Sequence, residues 1–190
     1  MSDRYLSFTV RAKDAATVAS ALKSLGRTAF VSPASDGFVV FYDAAAETGD
    51  AAAVTTLACA VSQQCGSAVL AVLNEDDEVL TYWVCDAANV ADRYCSNPGW
   101  LEGTDETPAG GNADILANAI AADADRAALS AILRAPNEGE DSDYPFAVDR
   151  HVAICEELGL PAEYCTAGFT QVLGGDPDIP DLERFHRVAT

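Results

Sequence analysis

Residues 68–85, AVLAVLNEDDEVLTYWVC, decide the fold class. Ala68 to Leu73 is an unbroken apolar run of strand length, which predicts a central strand covered on both faces. Asn74 to Glu78 is a charged hairpin tip. Val79 to Cys85 then returns, with Leu80, Tyr82 and Val84 alternating against Thr81, Trp83 and Cys85, the period of two that a strand imposes. Two adjacent strands joined by a tight turn point to an antiparallel sheet.

The chain before this hairpin supplies the rest of the expected sheet. Tyr5 to Val10 alternates large and polar residues as a strand does. Asp14 is a candidate N-cap for a helix from Ala15 to Leu25, with Val18, Leu22 and Leu25 on one face and Gly26 as the stop. Thr28 to Ser32 and Gly37 to Tyr42 are predicted strands around the turn Pro33 to Gly37, and Ala51 to Cys65 is a helix closed by Gly66. A short strand is expected near Asp92 to Ser96. The order β-α-β-β-α-β-β-β predicts an α+β fold, a mostly antiparallel sheet with two helices on one face, in its most economical form a ferredoxin-like or split βαβ core.

Beyond the hairpin the texture changes. Glu102 to Asn112 is rich in Gly, Thr, Pro and acid, and no strand pattern follows it. Helices are expected over Ala113–Ala122, Asp125–Ala135, Phe146–Leu158 and Ala162–Leu173, with an acidic loop at 136–143 and a short turn near Leu182 to Val188. The organisation expected is therefore a sheet domain at 1–101, a linker or long loop at 102–112, and a helical region at 113–190 that either stands apart or packs on the first as one unit. The C-terminal half should be all-helical.

Composition narrows the function. Thirty acids and eleven bases in 190 residues give a net charge of -19. Phosphate binding depends on Lys and Arg, so neither nucleic acid nor an anionic membrane is an expected partner. The acids gather in loops and ends: the tip Glu75, Asp76, Asp77, Glu78, the loops at 102–106 and 138–143, and the tail at 176–183. Met1 to Tyr5 carries charge where an export signal needs an apolar core, and no window approaches the roughly 18 apolar residues of a membrane span. A soluble, cytoplasmic protein is expected. Cysteines stand at 59, 65, 85, 95, 155 and 165 with no C-x-x-C spacing, so most are expected to be small buried hydrophobes.

Tyr82 to Trp100, YWVCDAANVADRYCSNPGW, is the densest stretch of aromatic and polar groups. It nominates Trp83, Asp92, Arg93, Tyr94 and Trp100 as lining a ligand pocket, with Arg93 as a carboxylate or anion clamp; the competing reading is strand residues packing on opposite faces. The runs TYWVCDAANVADRYCSNPGWLE (81–102), GGNAD (110–114), FAVDRH (146–151) and LGLP (158–161) resemble a family of uncharacterised bacterial proteins. That resemblance implies no activity and assigns no site residue.

His151 and Cys155 lie four apart on one predicted helix face, the spacing of a Cys–His pair, but Cys155 falls on the apolar stripe. The acid runs at 75–78 and 176–183 lack the spacing of a calcium loop, and phosphate-loop and nucleophile-elbow motifs are absent. Neither cofactor nor metal is expected, and the balance leans away from an enzyme. The favoured expectation is an acidic protein–protein interaction module, inhibitor- or immunity-like, that meets a basic partner through Glu75 to Glu78. The alternative is a small-molecule enzyme or sensor with its pocket between the two halves. Oligomeric state is left open.

Overall fold

The computed structural model describes residues 4–104, 106–136 and 143–189. Its elements run β1 (Tyr5–Arg11), α1 (Ala15–Ser24), β2 (Ala29–Val31), β3 (Phe38–Asp43), α2 (Ala51–Cys65), β4 (Val69–Glu75), β5 (Val79–Asp86) and β6 (Asn89–Cys95). Then follow β7 (Ala109–Gly110), α3 (Ala113–Ile120), α4 (Arg126–Arg134), α5 (Ala147–Leu158), α6 (Ala162–Cys165), α7 (Phe169–Gly174) and β8 (His186–Val188). Most of the acidic loop expected at 136–143, residues 137–142, lies outside the described residues.

All eight strands join one sheet in the order β7-β6-β5-β4-β1-β3-β2-β8, and every pairing is antiparallel. The all-helical C-terminal half is thereby overturned: β8 comes from it, β7 comes from the stretch expected as a linker, and the two extend the sheet at opposite edges, so helices and strands are interspersed. The physical reason is length. His186-Arg187-Val188 is too short to show any periodicity, yet it pairs with Val31, Phe30 and Ala29 and covers the edge that β2 would otherwise leave open.

Helices cover both faces. Leu6, Phe8 and Val10 of β1, with Val39 and Phe41 of β3 and Val69, Ala71 and Leu73 of β4, pack on Val18 and Leu22 of α1 and Val54, Leu57 and Val61 of α2. The alternate residues, Val40, Tyr42, Leu70, Val72, Leu80, Tyr82 and Val84, meet Leu116, Leu129, Leu133, Ile154 and Leu158 of the later helices. The result is three layers, helix on sheet on helix. Burial on both faces is why β4 reads as a continuous apolar run.

On β1 the second face is polar. Tyr5, Ser7 and Thr9 are all buried, and each finds a partner in the second helical layer. Ser7 Oγ donates to Cys165 O at 2.6 Å, Thr9 Oγ1 lies 3.3 Å from Cys165 Sγ, and Tyr42 of the neighbouring β3 donates to Tyr164 O at 2.7 Å. These bonds satisfy groups that would be costly to bury alone, and they fix α6 over the middle of the sheet.

The β5–β6 hairpin turns on Ala87 and Ala88, which take φ of 44° and 72°. This left-handed region suits Asn and Gly and strains alanine by about 1–2 kcal/mol per residue. The double variant Ala87→Asn/Ala88→Gly is therefore expected to raise stability by about 1–2 kcal/mol in urea unfolding, with the slope unchanged. An unaltered midpoint would mean that the two alanines cost the turn nothing.

Candidate functional site

The sheet divides the residues nominated from 82–100. Trp83 pairs directly with Arg93, and both lie on the α2 face, Trp83 buried and Arg93 exposed. Asp92 and Tyr94 lie on the opposite face, where Tyr94 is buried and stacks on Tyr82 with ring centroids 5.2 Å apart. Trp100 is half-buried in a 3-10 turn beyond the end of β6. Asp92 is the hub of a structural knot: its Oδ2 accepts from Tyr82 Oη and from Asn112 N, each at 2.8 Å. Burial, with Asp92 alongside, pushes the Tyr82 phenol far above its ordinary range, so it stays a donor.

Gly110 and Gly111 let the chain approach that knot. Both have positive φ; a Cβ on Gly110 would sit 2.2 Å from Arg93 O, and one on Gly111 would sit 2.8 Å from Tyr94 Cδ2. Arg134 donates to both of their carbonyls. Asn112 then caps α3 by accepting from Asp114 N and Ile115 N.

A different place gathers polar groups from both halves. Tyr5 pairs with Asn74 at the end of the sheet where β1 begins, so the tip Glu75, Asp76, Asp77, Glu78 projects from that end. Asp76 and Asp77 take positive φ, which Asp tolerates. Asn74 Nδ2 donates to Asp77 Oδ1 at 2.6 Å, and Asp77 O accepts from Ala147 N at 2.8 Å, tying the tip to the start of α5. Glu47, in the 3-10 turn after β3, accepts from Thr170 N and Thr170 Oγ1 at 2.9 Å and so holds α7 at the same end. Asp50, the N-cap of α2, and Asp149, which accepts from Phe146 N, lie there as well.

Beside Tyr5 opens a cleft of about 460 Å³ whose lining includes Val148, Gln171 and three further acids, Glu163, Asp176 and Asp178. Few bases face it. Arg4 is spent on backbone carbonyls, donating to Glu47 O and Thr48 O. Arg27 is bound in a bidentate pair with the buried Asp43. Ion pairs join Arg126 to Asp114 and Arg184 to Asp181. The sequence marked the acids at 75–78 and 176–183 but missed Tyr5, Glu163 and Gln171. Only the tertiary fold brings those three together.

Behind the cleft wall, Tyr5 Oη is 2.8 Å from His151 Nδ1, and the two rings stack. Burial lowers the His151 pKa to about 3, so at neutral pH the imidazole is uncharged and Nδ1 shares a hydrogen bond with the tyrosine hydroxyl. Cys155 is also buried; its hydrogen bond with Cys165 and its burial push the thiol well up. An uncharged imidazole and a protonated thiol do not make the thiolate–imidazolium pair that nucleophilic catalysis requires. What the acid-rich end can do is attract and hold positive charge.

Among the described residues, no group of three or more His, Cys, Asp or Glu side chains is placed to hold a metal ion, and no helix is long and apolar enough to cross a membrane. Comparison with known proteins leaves these observations to stand alone: no family model matches the chain, and neither a curated protein nor a solved structure matches it.

Proposed function

We propose that this protein is an acidic interaction module that binds a basic protein partner through the end of the sheet carrying Glu75 to Glu78. One observation carries the reading. Acids from segments far apart in sequence meet at that end: Asp77 accepts from Asn74 and from Ala147 N near Asp149, Glu47 holds Thr170, and Glu163, Asp176 and Asp178 line a cleft beside Tyr5, the strand partner of Asn74. Acids serving solubility alone would have no reason to converge. Opposite charge steers such encounters and speeds association. Inhibition of a cationic enzyme in the cytoplasm is the role that suits it best, and the protein itself need catalyse nothing.

The test is a pull-down from the native host at low and high salt, run beside Glu75→Gln/Glu78→Gln/Asp178→Asn. The expected result is a basic protein retained by the wild type, released by salt, and bound at least tenfold more weakly by the variant. Equal retention by the variant sinks the proposal. A second reading rests on the cleft itself, which lies between β1 and the C-terminal helices and suits a small organic cation. Calorimetric titration with spermidine separates the two: binding abolished by Asp176→Asn/Asp178→Asn, with no protein retained from the host, favours the small ligand.

A further inference from the structure

β8 is the outermost strand of the sheet, and among the described residues no strand lies beyond it. In an antiparallel ladder alternate residues turn their N–H and C=O to opposite neighbours, so part of the β8 backbone faces outward. Its side chains divide between the two faces. Val188 packs in the core with α1, and His186, two residues before it, shares that face. Arg187 lies on the other face, its guanidinium 5.9 Å from the ring centre of its strand partner Phe30. A groove of about 280 Å³ separates α1 from this strand, with Ala16, Ala19, Ser20 and Lys23 on the helix side and residues 186–189 opposite. Lys23, His186 and Arg187 are exposed, and the described lining holds no acid, although acids outnumber bases thirty to eleven in the chain. Edge strands commonly carry charge that keeps other chains away. In a molecule of net charge -19, acids would serve that purpose; bases make this edge attract acids instead.

We propose that the free edge of β8 takes an extended acidic segment of a partner protein as an added strand. Main-chain hydrogen bonds to β8 hold the segment. Its residue beside Arg187 lies on the Phe30 face and is Asp or Glu. The residues beside His186 and Val188 lie on the α1 face and are apolar, with the groove above Ala16 and Ala19 to receive one of them. The pattern recognised is apolar–acidic–apolar. A second copy adding its own β8 is disfavoured, because twofold pairing centred on Arg187 sets two guanidiniums side by side. The acidic tip is a separate surface: β4, which leads into it, lies four places from β8 in the sheet order. Both surfaces can be filled at once.

The test is fluorescence anisotropy with a labelled peptide, Gly-Ser-Val-Glu-Val-Glu-Val-Ser-Gly, backed by hydrogen exchange of the complex. Saturable binding is expected, with amide exchange slowed within residues 186–188. Lys23→Glu/Arg187→Glu, altered only at exposed positions, should keep the wild-type circular dichroism and bind the peptide at least tenfold more weakly. Peptides N-methylated at alternate residues, in the two possible phases, should differ at least tenfold in affinity, because only one phase blocks the bonds to β8. Equal binding by the double variant overturns the proposal, as does equal binding of the two N-methylated peptides or none of the parent peptide at millimolar concentration. A dimer of the protein alone that the double variant abolishes also overturns it and assigns the edge to a second copy.

Discussion

Arg150→Ala is expected to cost about 3–5 kcal/mol, the largest loss from any single side chain in the second helical layer. Arg150 is the bulkiest of the fully buried side chains. Its Nη1 donates to Ile132 O at 2.7 Å, its Nη2 donates to Pro136 O, and its guanidinium lies 5.1 Å from the centre of the Tyr144 ring. Ile132 O lies in the last turn of α4, where it also accepts a long 3.4 Å bond from Ala135 N, and Pro136 O lies just past the helix end, where the dipole favours a cation. One guanidinium therefore caps α4 from α5. Alanine would strand the carbonyls in a dry interior and leave a cavity. Arg150→Lys should recover only part of the loss, because an ammonium lacks the planar fork. Urea unfolding measures both variants. A cost below about 1 kcal/mol for alanine would show that water replaces the guanidinium at no penalty.

The second large effect is an acid sensitivity set by His151. Its folded pKa is about 3 against an ordinary 6.5. Above pH 6.5 the imidazole is neutral in both states, and its contribution to stability is complete. As the pH falls toward 3, the unfolded chain takes up a proton that the folded one refuses, and stability is lost at about 1.4 kcal/mol per pH unit. By pH 4.5 the loss from this residue should reach about 2–3 kcal/mol. Relief of repulsion among thirty acids works in the opposite direction over the same range. The His151 part is thus read as the difference between wild type and His151→Gln, whose amide can hydrogen bond to Tyr5 as either donor or acceptor. The variant should be the less stable at pH 7.5 and the more stable at pH 4.5. Parallel pH profiles for the two proteins would dismiss this account.

The fold was legible where patterning is local. β1, α1, β3, α2, β4 and β5 begin and end within a residue or two of where alternation, caps and glycines put them. Asp14 does accept from Thr17 N, and Gly66 does close α2 in the left-handed conformation. What stayed hidden depends on distant partners. Ser7 and Thr9 make one face of β1 look solvent-exposed, yet that face is buried because Cys165, about 160 residues away, supplies their hydrogen-bond partners. β6 starts earlier than expected because two alanines adopt a turn that chemistry assigns to Asn and Gly. Of the site, the charged tip was visible as a run of four acids. The cleft was not, since its lining joins the first strand to residues 148–178.

The pairing of β8 with β2 joins Ala29 to Val188. A ribosome delivers those two residues far apart in time. The first helical layer and its side of the sheet can close once about the first half of the chain has emerged, but the face bearing Val40, Tyr42, Leu70, Val72 and Leu80 must wait for the later helices. During that interval a nascent chain presents an apolar sheet face and an open strand edge together. Such a topology is expected to fold slowly for its size, with that surface the one most open to aggregation until the later helices cover it.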